Sequence, residues 1–144
     1  MGTNNIRSFG SWRSPITADI VARSGLSFSE IQVDGDDIYW LEGRPHENGR
    51  SVVVRRSADG KQIDMVPQGF NVRSAVHEYG GGSYVVRSGE IYFSNWDDQR
   101  VYRTSVSTLP QPLTAVTNSN QDCRYADFVI SDSGWISVSY THLR

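Results

Sequence analysis

FNVRSAVHEYGGGSY, residues 70–84, is the stretch that decides how the rest of this 144-residue chain is interpreted. It places a charged and aromatic group directly before three consecutive glycines, Gly80 to Gly82. Three glycines in a row are unfavourable inside a strand, because glycine loses more backbone freedom on folding than any other residue. They are typical of a sharp turn, or of a place where another backbone comes close. We therefore predict at least one positive φ among them, at the joint between two structural units.

The segment before this joint has the pattern of four short strands. Residues 28–33 alternate in polarity, and residues 38–41 are β-branched and aromatic. Residues 51–56 and 62–66 supply two more strands, and turn residues rich in Asp, Gly, Asn and Pro separate all four.

The segment after the joint repeats the arrangement. Strands are predicted at residues 83–87, 90–94, 100–106 and 112–116. Ile38 and Ile91 hold equivalent places, 91 − 38 = 53 positions apart. A third copy then begins: strands at 125–130 and 135–138 flank a turn at 131–134. Four strands per unit, repeated every 40 to 50 residues or so, indicate the blades of a β-propeller.

The predicted fold class is therefore all-β: a partial β-propeller of about two and a half four-stranded blades, with one short N-terminal helix. Ser14 and Pro15 are suited to the N-cap and first position of that helix. An antiparallel sandwich of eight to ten strands satisfies the same strand pattern and stays open as an alternative. The predicted organisation is an N-terminal segment 1–27 with a helix at 15–24, an incomplete propeller 28–138 with blades 28–67, 83–117 and 125–138, and a tail 139–144 of doubtful origin.

Composition and charge exclude several classes of protein. The formal net charge of −2 gives no electrostatic footprint for nucleic acid or an anionic membrane. No apolar run approaches the roughly 18 residues of a membrane span, and the first residues lack the apolar core of a signal peptide. The single cysteine, Cys123, excludes an internal disulfide framework. The expected compartment is the cytoplasm.

Motifs of catalysis are missing from the sequence. It contains no G-x-S-x-G nucleophile elbow, no G-x-x-x-x-G-K-[ST] phosphate loop and no H-E-x-x-H zinc helix. His77 and Glu78 resemble a base with its orienting carboxylate, but no nucleophile lies near them in sequence, so a structural role is favoured. His46 and His142 lack the spacing of metal ligands.

The remaining polar and aromatic clusters have ordinary structural interpretations. The acidic pairs near residues 34–37 and 97–98 are more typical of β-turns than of calcium sites. Trp40, Tyr39, Tyr92 and Phe93 are expected in the sheet core rather than on a sugar-stacking surface. No catalytic, cofactor-binding or metal-binding residue is predicted, and no cofactor. Four residues of the joint remain as contacts to substrate or between blades: Arg73, His77, Glu78 and Tyr79.

Five strings carry a family resemblance, in the right order over roughly residues 10–130: GSWRSPITAD (10–19), DGDDIYWLEGRP (34–45), FNVRSAVHEYGGGSY (70–84), IYFSNWDDQRVYR (91–103) and RYAD (124–127). Together they resemble the N-terminal part of bacterial serine peptidases of the prolyl oligopeptidase family. Within it they are most similar to the dipeptidyl aminopeptidase/acylaminoacyl peptidase branch.

The resemblance implies a propeller that caps a C-terminal α/β-hydrolase domain carrying a Ser-Asp-His triad. None of the triad positions falls within these residues, so the chain alone is expected to be inactive as a peptide hydrolase. Its expected role is to gate and position peptide substrates for that domain, which would be its partner. Similar proteins continue beyond RYADFVISDSGWISV through further blades, so we expect a truncated reading frame. The alternative is a self-standing β-repeat module that binds a ligand or a protein.

Overall fold

A computed structural model describes residues 8, 10–11, 15–17, 25–107, 114–118 and 123–142. Nearly all of the regular structure in them is β. The strands are β1 (Ser27–Asp34), β2 (Asp37–Arg44), β3 (Arg50–Arg56), β4 (Gln62–Asp64), β5 (Tyr84–Arg87), β6 (Glu90–Ser94), β7 (Val101–Ser105), β8 (Thr114–Ala115), β9 (Cys123–Ile130) and β10 (Ile136–His142). Two single 3-10 turns cover Pro45–Glu47 and Val76–Glu78.

The strands form three small antiparallel sheets in sequence order. Sheet 1 has the order β1-β2-β3-β4, sheet 2 the order β5-β6-β7-β8, and sheet 3 consists of β9 and β10. Each four-stranded sheet is a meander, in which every strand pairs with the next along the chain. The prediction of an all-β chain built from repeated antiparallel sheets is confirmed.

The sheets lie side by side through their first strands. β5 contacts β1 on one side and β9 on the other. Neighbouring first strands are typical of propeller blades, whose innermost strands surround a common axis. This arrangement is consistent with a partial propeller.

The main core fills the space between sheets 1 and 2. By register, Tyr39, Leu41 and Val53 share one face of sheet 1, and all three are buried. Tyr84 and Phe93 form a cross-strand pair on the facing side of sheet 2 and are also buried. Because apolar and polar residues alternate along these strands, each strand has one apolar face for this core.

Side chains of β1 also join the two sheets where apolar packing ends. The Gln32 side-chain amide donates to the Tyr84 carbonyl oxygen at 3.0 Å and accepts from the Val86 N–H at 3.0 Å. Asp34 accepts from the N–H groups of Ser88 and Gly89 at 2.8 and 2.6 Å. Side chains of β1 thus accept from backbone N–H groups along the unpaired edge of β5 and in the turn that follows it.

Two parts of the chain differ from, or go beyond, the sequence prediction. Residues 15–17 are not helical, and the remainder of the predicted helix, 18–24, lies outside the described residues. β10 continues through His142, so residues 139–142 of the predicted tail belong to a strand paired with β9. In the portions of the chain that the structure describes, no helix is long and apolar enough to cross a membrane.

Candidate functional site

The joint is anchored to both four-stranded sheets before it reaches its exposed part. The Val72 N–H donates to the Ser51 carbonyl oxygen of sheet 1 at 2.9 Å, and the Arg73 N–H donates to the Ser94 carbonyl oxygen of sheet 2 at 3.1 Å. Val72 and Val76 are fully buried. The backbone that carries the following polar residues is therefore held in place by both sheets.

Arg73 is exposed, and its guanidinium lies 4.3 Å from the centre of the Trp96 ring. This cation–π contact holds the planar group over the indole. No salt bridge to Arg73 is found among the described residues, so the guanidinium keeps donors for a carbonyl or carboxylate group.

His77 and Glu78 occupy the left-handed region of the backbone map, with φ of 52° and 66°. Two consecutive non-glycine residues in this region are uncommon, and each carries a strain cost. In this turn the two adjacent side chains do not alternate between opposite faces, as they would in an extended strand. Glu78 and Tyr79 are exposed, and the His77 and Tyr79 rings stack with centroids 5.8 Å apart.

Thr141 of β10 fixes the orientation of His77. The Thr141 Oγ1 accepts from the His77 main-chain N–H at 3.1 Å and lies 3.1 Å from Nδ1. The tautomer of the imidazole decides which of the two atoms donates in the second contact, since a hydroxyl can both donate and accept. A hydroxyl next to an imidazole occurs in nucleophilic sites, where a third group orients the base. Within the described residues no carboxylate bonds to this imidazole, so the pair links sheet 3 to the joint.

The three glycines serve both purposes predicted for them. Gly80 has a φ of 95°, which confirms the predicted positive φ. A Cβ on Gly81 would lie 2.9 Å from the Cβ of Ala126, closer than such atoms approach. Gly82 exchanges two hydrogen bonds with Asp127: its N–H donates to Oδ1 at 2.7 Å, and its carbonyl oxygen accepts from the Asp127 N–H at 2.8 Å. The joint is thus a turn followed by a close approach of β9.

A second carboxylate reaches the same backbone from the opposite side. Glu30 Oε2 accepts from the Ser83 N–H at 2.7 Å, next to the bond between Gly82 and Asp127. Glu30 and Asp127 occupy equivalent places: each lies at the register shift of the first strand of its sheet, with φ of 50° and 53°. Burial raises the pKa of Glu30; hydrogen bonds from Ser83 oppose this increase, and the charge of Asp127 adds to it.

Sequence reasoning missed this pair of carboxylates. Glu30 and Asp127 are 97 positions apart, and bulges displace both from the strict alternation used to align the repeats. Aligning the strings SFSEIQ and RYADFV would have matched the two carboxylates.

The other candidate clusters have structural roles. Asp34 accepts the turn bonds described above, Asp37 pairs with Arg55 at 2.6 Å, and Asp98 accepts from the Tyr102 hydroxyl at 2.6 Å. Among the described residues, no group of three or more His, Cys, Asp or Glu side chains is arranged to hold a metal ion. Tyr39 and Phe93 lie in the core, as predicted, whereas Trp40 and Tyr92 are only half-buried and lie outside the core cluster.

Comparison with solved structures finds peptidases. The chain superimposes with a TM-score of 0.82 and 37% identity on a puromycin-hydrolyzing peptidase of Mycobacterium tuberculosis, over 91% of this chain and 21% of that one. Two structures of puromycin hydrolase, one of them the S511A mutant complexed with PGG, match 85% of this chain at 36% and 33% identity, with TM-scores of 0.65 and 0.68.

The chain spans about a fifth of the length of the solved structures it matches. No protein-family model and no curated protein sequence matches it. The resemblance found in the sequence is thus confirmed by structures that share more than 30% of the aligned residues and most of this chain's fold.

Proposed function

Because the chain belongs to the prolyl oligopeptidase family, as part of its N-terminal propeller, we propose that it positions peptide substrates for a hydrolase domain and has no peptidase activity alone. The observation that supports this most is the superposition of 91% of the chain on a puromycin-hydrolyzing peptidase. The dipeptidyl aminopeptidase/acylaminoacyl peptidase branch is part of the proposal, as is a cytoplasmic location.

The exposed part of the joint has the chemistry that binding a short peptide requires. The carboxylate of Glu78 is exposed and suits a peptide ammonium group, and the Arg73 guanidinium suits a carbonyl oxygen. The stacked rings of His77 and Tyr79 offer a flat surface to an apolar side chain. We assign the contact with substrate to these four residues.

A titration of the 144-residue chain with puromycin tests this assignment. Puromycin contains an aromatic amino acid that has a free amino group and is linked to the rest of the molecule by an amide bond. It therefore presents an ammonium group, a carbonyl oxygen and an apolar ring. We expect amide chemical-shift changes in an isotope-labelled sample to concentrate in residues 73–82, and mass spectrometry to find puromycin intact.

Two variants make the test specific. Glu78→Gln removes the charge proposed to meet the ammonium group and should weaken binding about tenfold, which is the worth of one charge-assisted contact. Asp36→Asn removes an equal charge from an exposed turn and should leave binding unchanged. Cleavage of puromycin would contradict the proposal. Shifts outside the joint would also contradict it and would favour the alternative of a self-standing binding module.

A further inference from the structure

The loop between β6 and β7, residues 95–100, is attached to the joint by side-chain amides. The Asn71 N–H donates to Asn95 Oδ1 at 3.0 Å, and the Ala75 N–H donates to Gln99 Oε1 at 2.9 Å. Asn95 and Gln99 are both buried. Because these bonds connect the loop to the joint at two separate points, the two backbones have one fixed relative position.

Gln99 uses both ends of its side-chain amide. While Oε1 accepts from the joint, Nε2 donates to the Trp96 carbonyl oxygen at 2.7 Å. A backbone N–H can only donate and a carbonyl oxygen can only accept, so the two partners fix the orientation of the amide. Gln99 also has a φ of 55°, a left-handed conformation that a non-glycine residue adopts at a cost. A buried amide in a strained turn therefore connects Ala75 of the joint to Trp96.

Trp96 is held through both of its backbone groups and in turn contacts Arg73. Its N–H donates to the Asn71 carbonyl oxygen at 2.8 Å, and its carbonyl oxygen accepts the bond from Gln99. The Arg73 guanidinium lies over the indole ring, 4.3 Å from its centre. A cation–π contact uses the flat side of a guanidinium and leaves the N–H donors at its edge for a carbonyl group.

We propose that Gln99 and Trp96 are positioning residues for Arg73, and that through them the loop at 95–100 determines how tightly the joint binds a ligand carbonyl group. This inference rests on the proposed contact between Arg73 and the substrate carbonyl oxygen. Gln99 fixes Trp96, and the indole ring fixes the guanidinium. An arginine that is already held in place loses less side-chain freedom when it binds, which favours affinity.

Nuclear magnetic resonance of the chain without ligand tests the positioning itself. The ring current of an indole shifts the signals of protons above its face upfield, and we expect this shift for the Arg73 side chain. Trp96→Leu should abolish it. Gln99→Met keeps the length of the side chain but makes neither amide bond, and it should remove most of the shift. Trp135→Leu, in the exposed turn between β9 and β10, is the matched control and should leave the shift unchanged.

The affinity of the same variants for puromycin tests the effect on binding. Trp96→Leu and Gln99→Met should each weaken binding about two- to fivefold, which is the worth of one exposed cation–π contact. Because Gln99 acts through Trp96, the variant with both substitutions should bind as weakly as Trp96→Leu alone. Two independent structural losses would instead multiply.

The two measurements separate this inference from the substrate-binding role on which it rests. If the unmodified chain does not bind puromycin, the proposed function fails, while the shift in Gln99→Met still decides whether Gln99 positions Arg73. Gln99→Glu keeps the acceptor for the Ala75 N–H and loses only the donor to Trp96, so it should give the same results if Gln99→Met does not fold. The inference is overturned if the shift survives in these Gln99 variants, or if the losses of affinity multiply.

Discussion

At Gly81 a single methyl group decides whether β9 can approach the joint. The Cβ added by Gly81→Ala would lie 2.9 Å from the Cβ of Ala126 and 3.0 Å from Asp127 Oδ1. Relief of this overlap requires β9 to move, so we expect a loss of about 1–3 kcal/mol in the free energy of unfolding, the usual cost of overpacking. Urea denaturation measures it. Gly25→Ala, where no atom lies within 4 Å, is the matched control and should lose much less.

Glu30 should make stability depend on pH in the direction opposite to most carboxylates. Burial raises its pKa in the folded state above the ordinary value of 4.5, with a smaller contribution from the charge of Asp127. Folding thus favours the protonated form. The contribution of Glu30 to stability is fully present below pH 4.5 and is lost as the pH rises through its folded-state pKa.

Replacing Glu30 with glutamine tests this sign. The Gln Oε1 still accepts the Ser83 N–H, but it carries no charge to bury. We expect the stability of Glu30→Gln relative to the unmodified chain to increase from pH 4.5 to pH 7 in urea denaturation. Asp36→Asn, in an exposed turn, should show no comparable change. A Glu30→Gln variant whose stability relative to the unmodified chain is constant over this range would mean that the carboxylate is not desolvated.

At the scale of elements, Arg44 of β2 links its own strand to the outer strand β4 across sheet 1. Its guanidinium pairs with Glu42 of β2 at 2.8 Å and with Asp64 of β4 at 2.6 Å, and its side chain is only 14% exposed. Glu42 is buried, so removal of the arginine would leave a carboxylate without its countercharge.

Arg44→Ala should therefore destabilise the chain by about 2–3 kcal/mol, below the range for a fully buried pair because Asp64 is partly exposed. Arg103→Ala is the matched control, since its pair with Glu90 of β6 is half exposed and should be worth less than ~1 kcal/mol. Thermal or urea unfolding compares them. Equal losses in the two variants would show that burial of the Arg44 network adds nothing.

The positions of strands could be predicted from the sequence where they depend on patterns of neighbouring residues. The alternation around Ile38 and Ile91 and the Asp-Gly and Ser-Gly turns depend on near neighbours, and the structure has strands at those places. Contacts between sheets were not predictable in this way. Glu30 meets Ser83 at a separation of 53 residues, and Thr141 meets His77 at 64, so no local pattern encodes either.

The site shows the same division. The glycines at 80–82 predicted a turn and a close approach of another backbone, because only glycine tolerates both. Which strand approaches could not be predicted. That strand belongs to sheet 3, and its Asp127 lies at a bulge that interrupts the alternation of side chains along the strand. The helix predicted from Ser14 and Pro15 was wrong at residues 15–17, where local propensity was the only support.

For the whole molecule, the account depends on sheets that lie side by side through their first strands. In this arrangement the free edge of β5 faces β1, and the acceptors for its amides are side chains. In a sandwich, two sheets stack face to face, so the side chains of Gln32 and Asp34 would not be expected along that edge.

Hydrogen exchange of three amides, one in β5 and two in the turn that follows it, tests this arrangement most directly. Val86 donates to Gln32, while Ser88 and Gly89 donate to Asp34. We expect all three amides to exchange slowly, and Gln32→Leu to expose Val86 while leaving Ser88 and Gly89 protected. Exchange of these amides in the unmodified chain as fast as that of the exposed turn amides at residues 35–36 would contradict the blade arrangement.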